Sequence, residues 1–343
     1  MIQFRTVLAV LAMATCCVLA QVGASESNEN IHAPIAEALR PFAETPAARA
    51  WLNEIDHLPD FEPRTIHAKR TVAGSVAYTQ RQYESLSDAQ REGLKAIECV
   101  PGGRYNQTFY GTPLAYLRAL DLGAHQLGTE DGPFSLEGAR VFDLGYGQIG
   151  QLRLLAHAGA HAVGADPDAI LRAMYAQPSD TGPVARDQGA DGSISLTHDH
   201  WPADESARNL VGGQFDLIIA RNLLKRGYIN PPQETPAYTQ VSFGVSDQEL
   251  LGALFRALRP GGVLVVYSLG GAYAPPGESY NPSCDIANPW SEQEWTDAGF
   301  EVIAHEAPES DAARDVGVAL GWGAKPELER AIFGNYSIYR RVE

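Results

Sequence analysis

Three glycines and two acids stand closely enough in this chain to capture a ligand. Asp143 is followed by Gly145, Gly147 and Gly150, and Asp166 comes after the Gly159 turn. Glycines let a backbone pass near a ligand where a Cβ would block it. A carboxylate at a strand end can accept hydrogen bonds from two vicinal ribose hydroxyls. The surrounding elements are those needed to hold them. An apolar run (Val141, Phe142, Leu144) stops at the first glycine, a helical pattern (Leu152, Leu155, Ala156) follows the third, and a second apolar run ends at Asp166. Strand, glycine turn, helix, strand and acid make one βαβ unit suited to an adenosine-containing cofactor.

Two cofactor classes fit that turn. Gly145-x-Gly147-x-x-Gly150 spells the dinucleotide fingerprint, and Tyr146–Gln151 is similar to the NAD turn of 2-hydroxyacid dehydrogenases. With Asp143 two residues before the first glycine, the stretch also resembles motif I of class I S-adenosylmethionine (SAM) methyltransferases, an acid-x-Gly-x-Gly pattern. That resemblance implies that Asp143 lies near the methionine end of a cationic sulfonium. A dinucleotide would bring pyrophosphate there, which a carboxylate repels. Ile149 stands where the methyltransferase pattern usually has its third glycine. The turn alone leaves both classes open.

The rest of the chain follows the methyltransferase order. Residues 194–202 read as a short strand with a polar end, the third strand in that resemblance, which implies that Asp199 meets the adenine amino group with Trp201 as a stacking face. His198 and His200 share a strand face, but no third metal ligand is in view. Phe215–Ala220 is an unbroken apolar run, as in a strand covered on both faces. Arg221-Asn222-Leu223-Leu224-Lys225-Arg226 follows at a carboxyl strand end, where ligands sit in open sheets. Those cations either bind an anionic substrate or begin a solvated helix. Leu250–Leu258, the Arg259-Pro260-Gly261-Gly262 turn and Val263–Tyr267 then resemble the family's helix, turn and fifth strand. Residues 291–302 resemble its last crossover helix and entry to strand six, and Tyr336–Arg341 suits an antiparallel strand seven. A dehydrogenase would want a catalytic Arg, Glu and His after strand five. His305 is the only histidine there, with no matching Arg/Glu arrangement before it.

The resemblance therefore implies an α/β fold: a Rossmann-like seven-stranded class I methyltransferase sheet with helices on both faces and an N-terminal helical appendage. It implies SAM as cofactor, held by Asp143, Gly145, Gly147, Gly150, Asp166 and Asp199, and methyl transfer to a small-molecule acceptor. Candidate general bases are Tyr110, His200, Asn222 and Tyr228; Tyr105 and Tyr110 either flank the methyl group or pack a helix onto the sheet. The alternatives are an NAD-dependent oxidoreductase of the 2-hydroxyacid type and an exported cofactor-binding module that has lost catalysis.

Composition narrows the partners. The chain has 343 residues with 42 acids against 26 Lys plus Arg, a formal net charge of -16. No basic stripe is present to neutralise phosphates, which disfavours a nucleic-acid substrate. Residues 1–24 read as a secretory signal, with Arg5, an apolar stretch and small residues at Val22 and Ala24. Cleavage after Ala20 or Ala24 gives an exported chain, periplasmic or secreted, with no stable membrane association. An uncleaved segment is an anchor instead. Export conflicts with the cytoplasmic origin of SAM. Removing the signal leaves Cys99 and Cys284, either independent buried thiols or one pair; neither belongs to a CxxC or Cys/His cluster, so the sequence offers no zinc site. Residues 25–104 form the appendage or lid, with helical patches at Ile35–Leu39 and Ala47–Ile55. Within it, a Ser87–Gln90 capping box opens a helix expected to reach about Cys99. Residues 105–343 form the main domain.

Overall fold

The computed structural model describes residues 33–58, 63–71, 74–99, 113–130, 132–273 and 279–342. Residues 1–24, expected to be a secretory signal, and Tyr105 and Tyr110 lie outside them.

The main sheet is built from β4 (Arg140–Leu144), β5 (His161–Ala165), β6 (Gly182–Val184), β7 (Gly192–Thr197), β8 (Phe215–Arg221), β9 (Leu258–Gly270), β10 (Phe300–Pro308) and β11 (Phe333–Arg341). Its order is β10-β11-β9-β8-β4-β5-β7-β6. β7, β5, β4, β8 and β9 run parallel. β11 runs antiparallel between β9 and β10. The short β6 extends the expected seven strands by one, pairing antiparallel with β7.

Side-chain alternation along the central strands makes two cores. Val141, Leu217, Ile219, Val263 and Val265 face the helices Leu117–Leu127 and Gly150–His157. Phe142, Ile218 and Leu264 face the other way, with Leu250, Leu254 and Trp295 of the helices Asp247–Ala257 and Glu292–Asp297. Both faces are covered, which explains the unbroken apolar runs in these strands. The Arg259–Gly262 turn is accommodated by a register irregularity: Phe215 pairs with Leu258, but Leu217 pairs with Val263. Arg259 Nε holds the turn to Asp216 Oδ1 at 2.6 Å.

The N-terminal arm has the helices Ala33–Leu39 and Pro46–Asn53 and a three-stranded antiparallel sheet. Its strands are β1 (Arg64–Thr71), β2 (Gly74–Thr79) and β3 (Lys95–Cys99), with β1 in the middle. The helix expected from Ser87 to Cys99 is thus short. The capping box forms, but the helix spans only Asp88–Arg91, Gly93 turns at φ +76°, and Lys95–Cys99 pairs with β1. The cap fixed the helix start, while long-range strand pairing decided its end.

A buried carboxylate docks the arm. Asp121, 3% exposed on the helix Leu117–Leu127, accepts from the Thr45 backbone N–H at 2.8 Å, the Thr45 hydroxyl at 2.7 Å and the Glu44 backbone N–H at 3.3 Å. Thr45 Oγ1 also caps the next helix by accepting from the Ala48 N–H. Arg118 compensates the charge, 3.6 Å from Asp121 and 2.8 Å from Glu309. Among the described residues, no helix is long and apolar enough to cross a membrane. Cys99 and Cys284 are both buried free thiols.

Candidate cofactor site at the head of β4

The parallel pairing of β4 and β5 sets Asp143 opposite Gly164 and brings the ends of both strands to one edge. At that edge the chain leaves β4 through Gly145, whose N–H donates to Ala165 O at 2.8 Å. Gly145 has φ +74°, and a Cβ there would lie 2.7 Å from a Leu223 methyl. The loop after β8 therefore rests on this residue, and only glycine fits. Gly147 also has positive φ, +59°, and is exposed at the tip of the turn. Nothing closer than Gly145 O, at 3.9 Å, meets a Cβ built on it. Gly150 opens the helix Gly150–His157.

Asp143 lies beneath the turn, 1% exposed. Gln151 Nε2, on the first turn of the helix, donates both to Asp143 Oδ2 at 2.9 Å and to Tyr146 O at 2.7 Å. Desolvation pushes the Asp143 carboxyl up to about 7, against the Gln151 hydrogen bond and the attraction of Arg221. Asp166, just beyond β5, accepts from the Gly147 N–H at 3.3 Å and the Asp168 N–H at 3.0 Å. Burial raises its carboxyl to about 6, opposed by those same backbone donors. One acid thus sits under the turn and the other at its mouth.

Several polar atoms around this turn lack partners. Among the described residues, Tyr116 Oη, Gln148 Oε1 and Gln151 Oε1 are buried without a hydrogen bond. Buried polar atoms are ordinarily satisfied, so these mark a place where a polar ligand would add bonds. Tyr146 is buried beside the turn, with its hydroxyl 3.4 Å from His198 Nδ1. Burial and the nearby Arg172 lower the His198 pKa.

The other sequence candidates divide. Asp199 lies past the end of β7, where its carboxylate pairs with Arg172 at 3.1 Å and accepts from Ser206 Oγ at 2.7 Å. Trp201, expected as a stacking face, is 5% exposed and packs edge-on against Phe142 in the second core. Its hydrophobic burial competes with any stacking role and wins. His200 is exposed, its backbone N–H donating to Asp204 Oδ2. Asn222 has φ +58°; its N–H donates to Tyr267 O and its Oδ1 accepts from the Leu269 N–H at 2.7 Å. That makes it a turn residue joining β8 to β9. Tyr228 is partly buried, with its ring 5.3 Å from the Lys225 ammonium.

The cationic run after β8 also separates into roles. Lys225 is 3% exposed and donates to Leu269 O and Ser283 O. Burial lowers it to about 8. Arg226 forms a two-pronged pair with buried Asp285, both bonds 3.0 Å. Of the three, only the Arg221 side chain makes no hydrogen bond or ion pair among the described residues, and it lies within electrostatic reach of Asp143, Tyr267 and Tyr116. Sequence reasoning missed Gln151 and Tyr116. The available signal for Gln151 was its place on the first helical turn, which faces back over the strand end.

No protein-family model matches this chain, and no curated protein matches it. Solved structures that resemble it include phosphoethanolamine N-methyltransferase 2 of Haemonchus contortus, at 15% identity over 73% of this chain and 63% of that one, with a TM-score of 0.35. The chain therefore spans less than two thirds of that relative. The [4+2]-cyclase SpnF matches at 16% identity over 68% of this chain and 83% of that one, TM-score 0.36. The cyclopropane synthase MmaA2 of Mycobacterium tuberculosis matches at 12% identity over 64% and 82%, TM-score 0.38. At these scores the likenesses add no argument to the strand order itself. Dinucleotide folds continue from the fifth strand to a neighbouring parallel sixth, whereas here an antiparallel strand is inserted between them. With β11 inserted antiparallel between β9 and β10, the main sheet has the Rossmann-like strand order that the methyltransferase resemblance implies.

Proposed function

We propose that this protein transfers a methyl group from SAM to a small molecule. The observation carrying the reading is Asp143, a buried carboxylate directly beneath the glycine turn, where a cation is favoured and a pyrophosphate is not. In this reading Gly145 and Gly147 admit the methionine end, Asp166 accepts from the ribose hydroxyls, and Asp199 lies toward the adenine. The unpartnered acceptors Gln148 Oε1 and Gln151 Oε1 supply further hydrogen-bonding capacity.

SAM would supply an activated methyl on sulfur; the work left to the chain is alignment and exclusion of water. Gln151 fixes the Asp143 carboxylate and the turn together, so the negative charge is preorganised. Arg221, the cation of its run whose side chain has neither a hydrogen bond nor an ion pair among the described residues, suits an anionic group on the acceptor or on the cofactor's amino-acid end. Asn222 and Tyr228 serve the fold at this edge, and His200 faces solvent. No general base is assigned. Export directed by residues 1–24 is part of the same proposal, and the protein would then meet its cofactor outside the cytoplasm.

Calorimetric titration of the purified protein with SAM, S-adenosylhomocysteine and NAD tests the reading. Binding of the two adenosyl compounds in preference to NAD supports it. Preference for NAD replaces it with the oxidoreductase, and binding of none of the three replaces it with a module that has lost the cofactor.

A further inference from the structure

Away from the glycine turn, at the other end of the helix it opens, two imidazoles and a carboxylate converge. Glu54 and His57 lie on the 3-10 turn Glu54–His57 that ends the arm's second helix. With three residues per turn, positions i and i+3 of a 3-10 helix eclipse, so both side chains leave from one face. His57 Nδ1 and Glu54 Oε2 are 2.8 Å apart. His157, the last residue of the helix Gly150–His157, comes from the main domain, and its ring stacks on that of His57 with centroids 5.5 Å apart at 20°. One ligand atom from each of the three residues lies within 4.8 Å of the others.

We propose that Glu54, His57 and His157 form a binding site for a divalent transition metal, of which zinc is the best fit, that staples the N-terminal arm to the cofactor-turn helix. Two imidazoles and one carboxylate make a known zinc donor set, with water completing a tetrahedron. Ligand atoms in such a shell lie about 3.3 Å apart, following from metal–ligand bonds of ~2.0–2.1 Å. The Glu54 and His57 atoms already lie inside that distance, so forming the shell requires movement between this pair and His157. His57, with a side chain 60% exposed, has room for it.

The His157 side chain makes no hydrogen bond or ion pair among the described residues, and its ring contact is the stack on His57. Arg153 and Arg186 lie within electrostatic reach of it. The Arg153 and Arg186 cations have partners of their own: Arg153 pairs with Asp180 at 3.1 Å, and Arg186 donates to Ala190 O at 3.1 Å. The contact between Glu54 Oε2 and His57 Nδ1 already holds two of the three donor groups side by side. Asp180 also accepts from Arg64 of β1 at 2.8 Å, so the arm is tied along this same side of the molecule. The site is independent of methyl transfer.

The test is a calorimetric titration of the full chain, stripped with EDTA and dialysed, with zinc chloride. One zinc per chain is expected, together with a higher melting temperature and slower proteolysis of the arm. His57→Ala should weaken binding by more than the ~10–100-fold that loss of an outer-shell partner costs. As an exposed side chain, its removal leaves folding intact; His157→Ala should act similarly, and Glu54→Gln less strongly. Cobalt substitution should give the visible absorption of a tetrahedral site, and His57→Ala should abolish it. His198→Asn, which alters another histidine, should leave binding unchanged. Absence of zinc binding overturns the proposal, as does binding that survives His57→Ala at its original strength.

Discussion

Trp51 Nε1 donates a hydrogen bond to the backbone carbonyl of Gln151, 3.2 Å away and 100 positions along the chain. Gln151 is also the residue whose side chain holds Asp143. The arm therefore contacts the residue that fixes the charge beneath the glycine turn. Trp51 is fully buried, and replacing it by Phe removes its bond to a carbonyl that stays within the ladder of the helix Gly150–His157. The net contribution of such a bond is roughly 0.5–1.5 kcal/mol. Denaturant unfolding of Trp51→Phe should show a loss of that size, and an unchanged midpoint would contradict the assigned contact.

Asp121 carries the arm's other anchor. In Asp121→Ala, the Thr45 hydroxyl and two backbone N–H groups lose their acceptor and Arg118 loses one of its compensating charges. Breaking a buried charged network by removing one partner costs roughly 3–5 kcal/mol. Limited proteolysis should then cut the arm early while residues 132–273 resist. Equal protection of the arm in variant and parent would show that Asp121 does not dock it.

Asp143 gives a pH signature with a definite sign. Folding raises its pKa from 3.8 to about 7, so the folded state binds this proton more tightly than the unfolded state. Its contribution to stability is complete below the unfolded value, declines as pH rises between the two, and is lost above the folded value. Three units correspond to about 4 kcal/mol as an upper bound. Asp143→Asn lacks this proton, so its stability relative to the parent should improve from pH 4 to pH 8. Parallel stability curves would exclude a strongly desolvated carboxylate.

The same titration bears on the ligand. SAM carries a sulfonium charge that S-adenosylhomocysteine lacks. In the parent, the preference for SAM should grow as pH rises through about 7 and Asp143 ionises. Asp143→Asn should flatten that dependence. Asp166→Ala should weaken both compounds alike, by about tenfold to a hundredfold for a lost charged hydrogen-bond acceptor. Calorimetry at pH 6 and pH 8 distinguishes the two acids, and identical behaviour of both variants would refute separate roles.

Asn222 was a candidate base on sequence grounds, and its geometry predicts a different phenotype. Its positive φ and its bond to the Leu269 N–H both belong to the fold. Asn222→Ala should cost about 2 kcal/mol, combining left-handed strain of ~1 kcal/mol with a lost hydrogen bond of ~1 kcal/mol. Asn222→Gly should recover the backbone part only. A large fall in methyl transfer with stability unchanged would reinstate Asn222 as a chemical group.

The sequence by itself determined what depends on neighbours along the chain. Apolar runs located β4, β5 and β8, the glycine spacing after Asp143 located the turn at Gly145 and Gly147, and a capping box marked the helix start after Ser87. These follow from backbone sterics and burial period, which are local. Tertiary structure alone decided which charges were free. Arg221, Lys225 and Arg226 read alike as cations, yet Lys225 is held by carbonyls and Arg226 by Asp285, residues 59 positions away in the latter case. Trp201 reads as a stacking face until Phe142 is packed against it. The helix expected through Cys99 ends early because β1 offers Lys95–Cys99 a pairing partner. His57 and His157 meet only because the arm docks on the main domain. In each case the deciding energy comes from groups far apart in sequence, desolvated together, and no local pattern records which of them will meet.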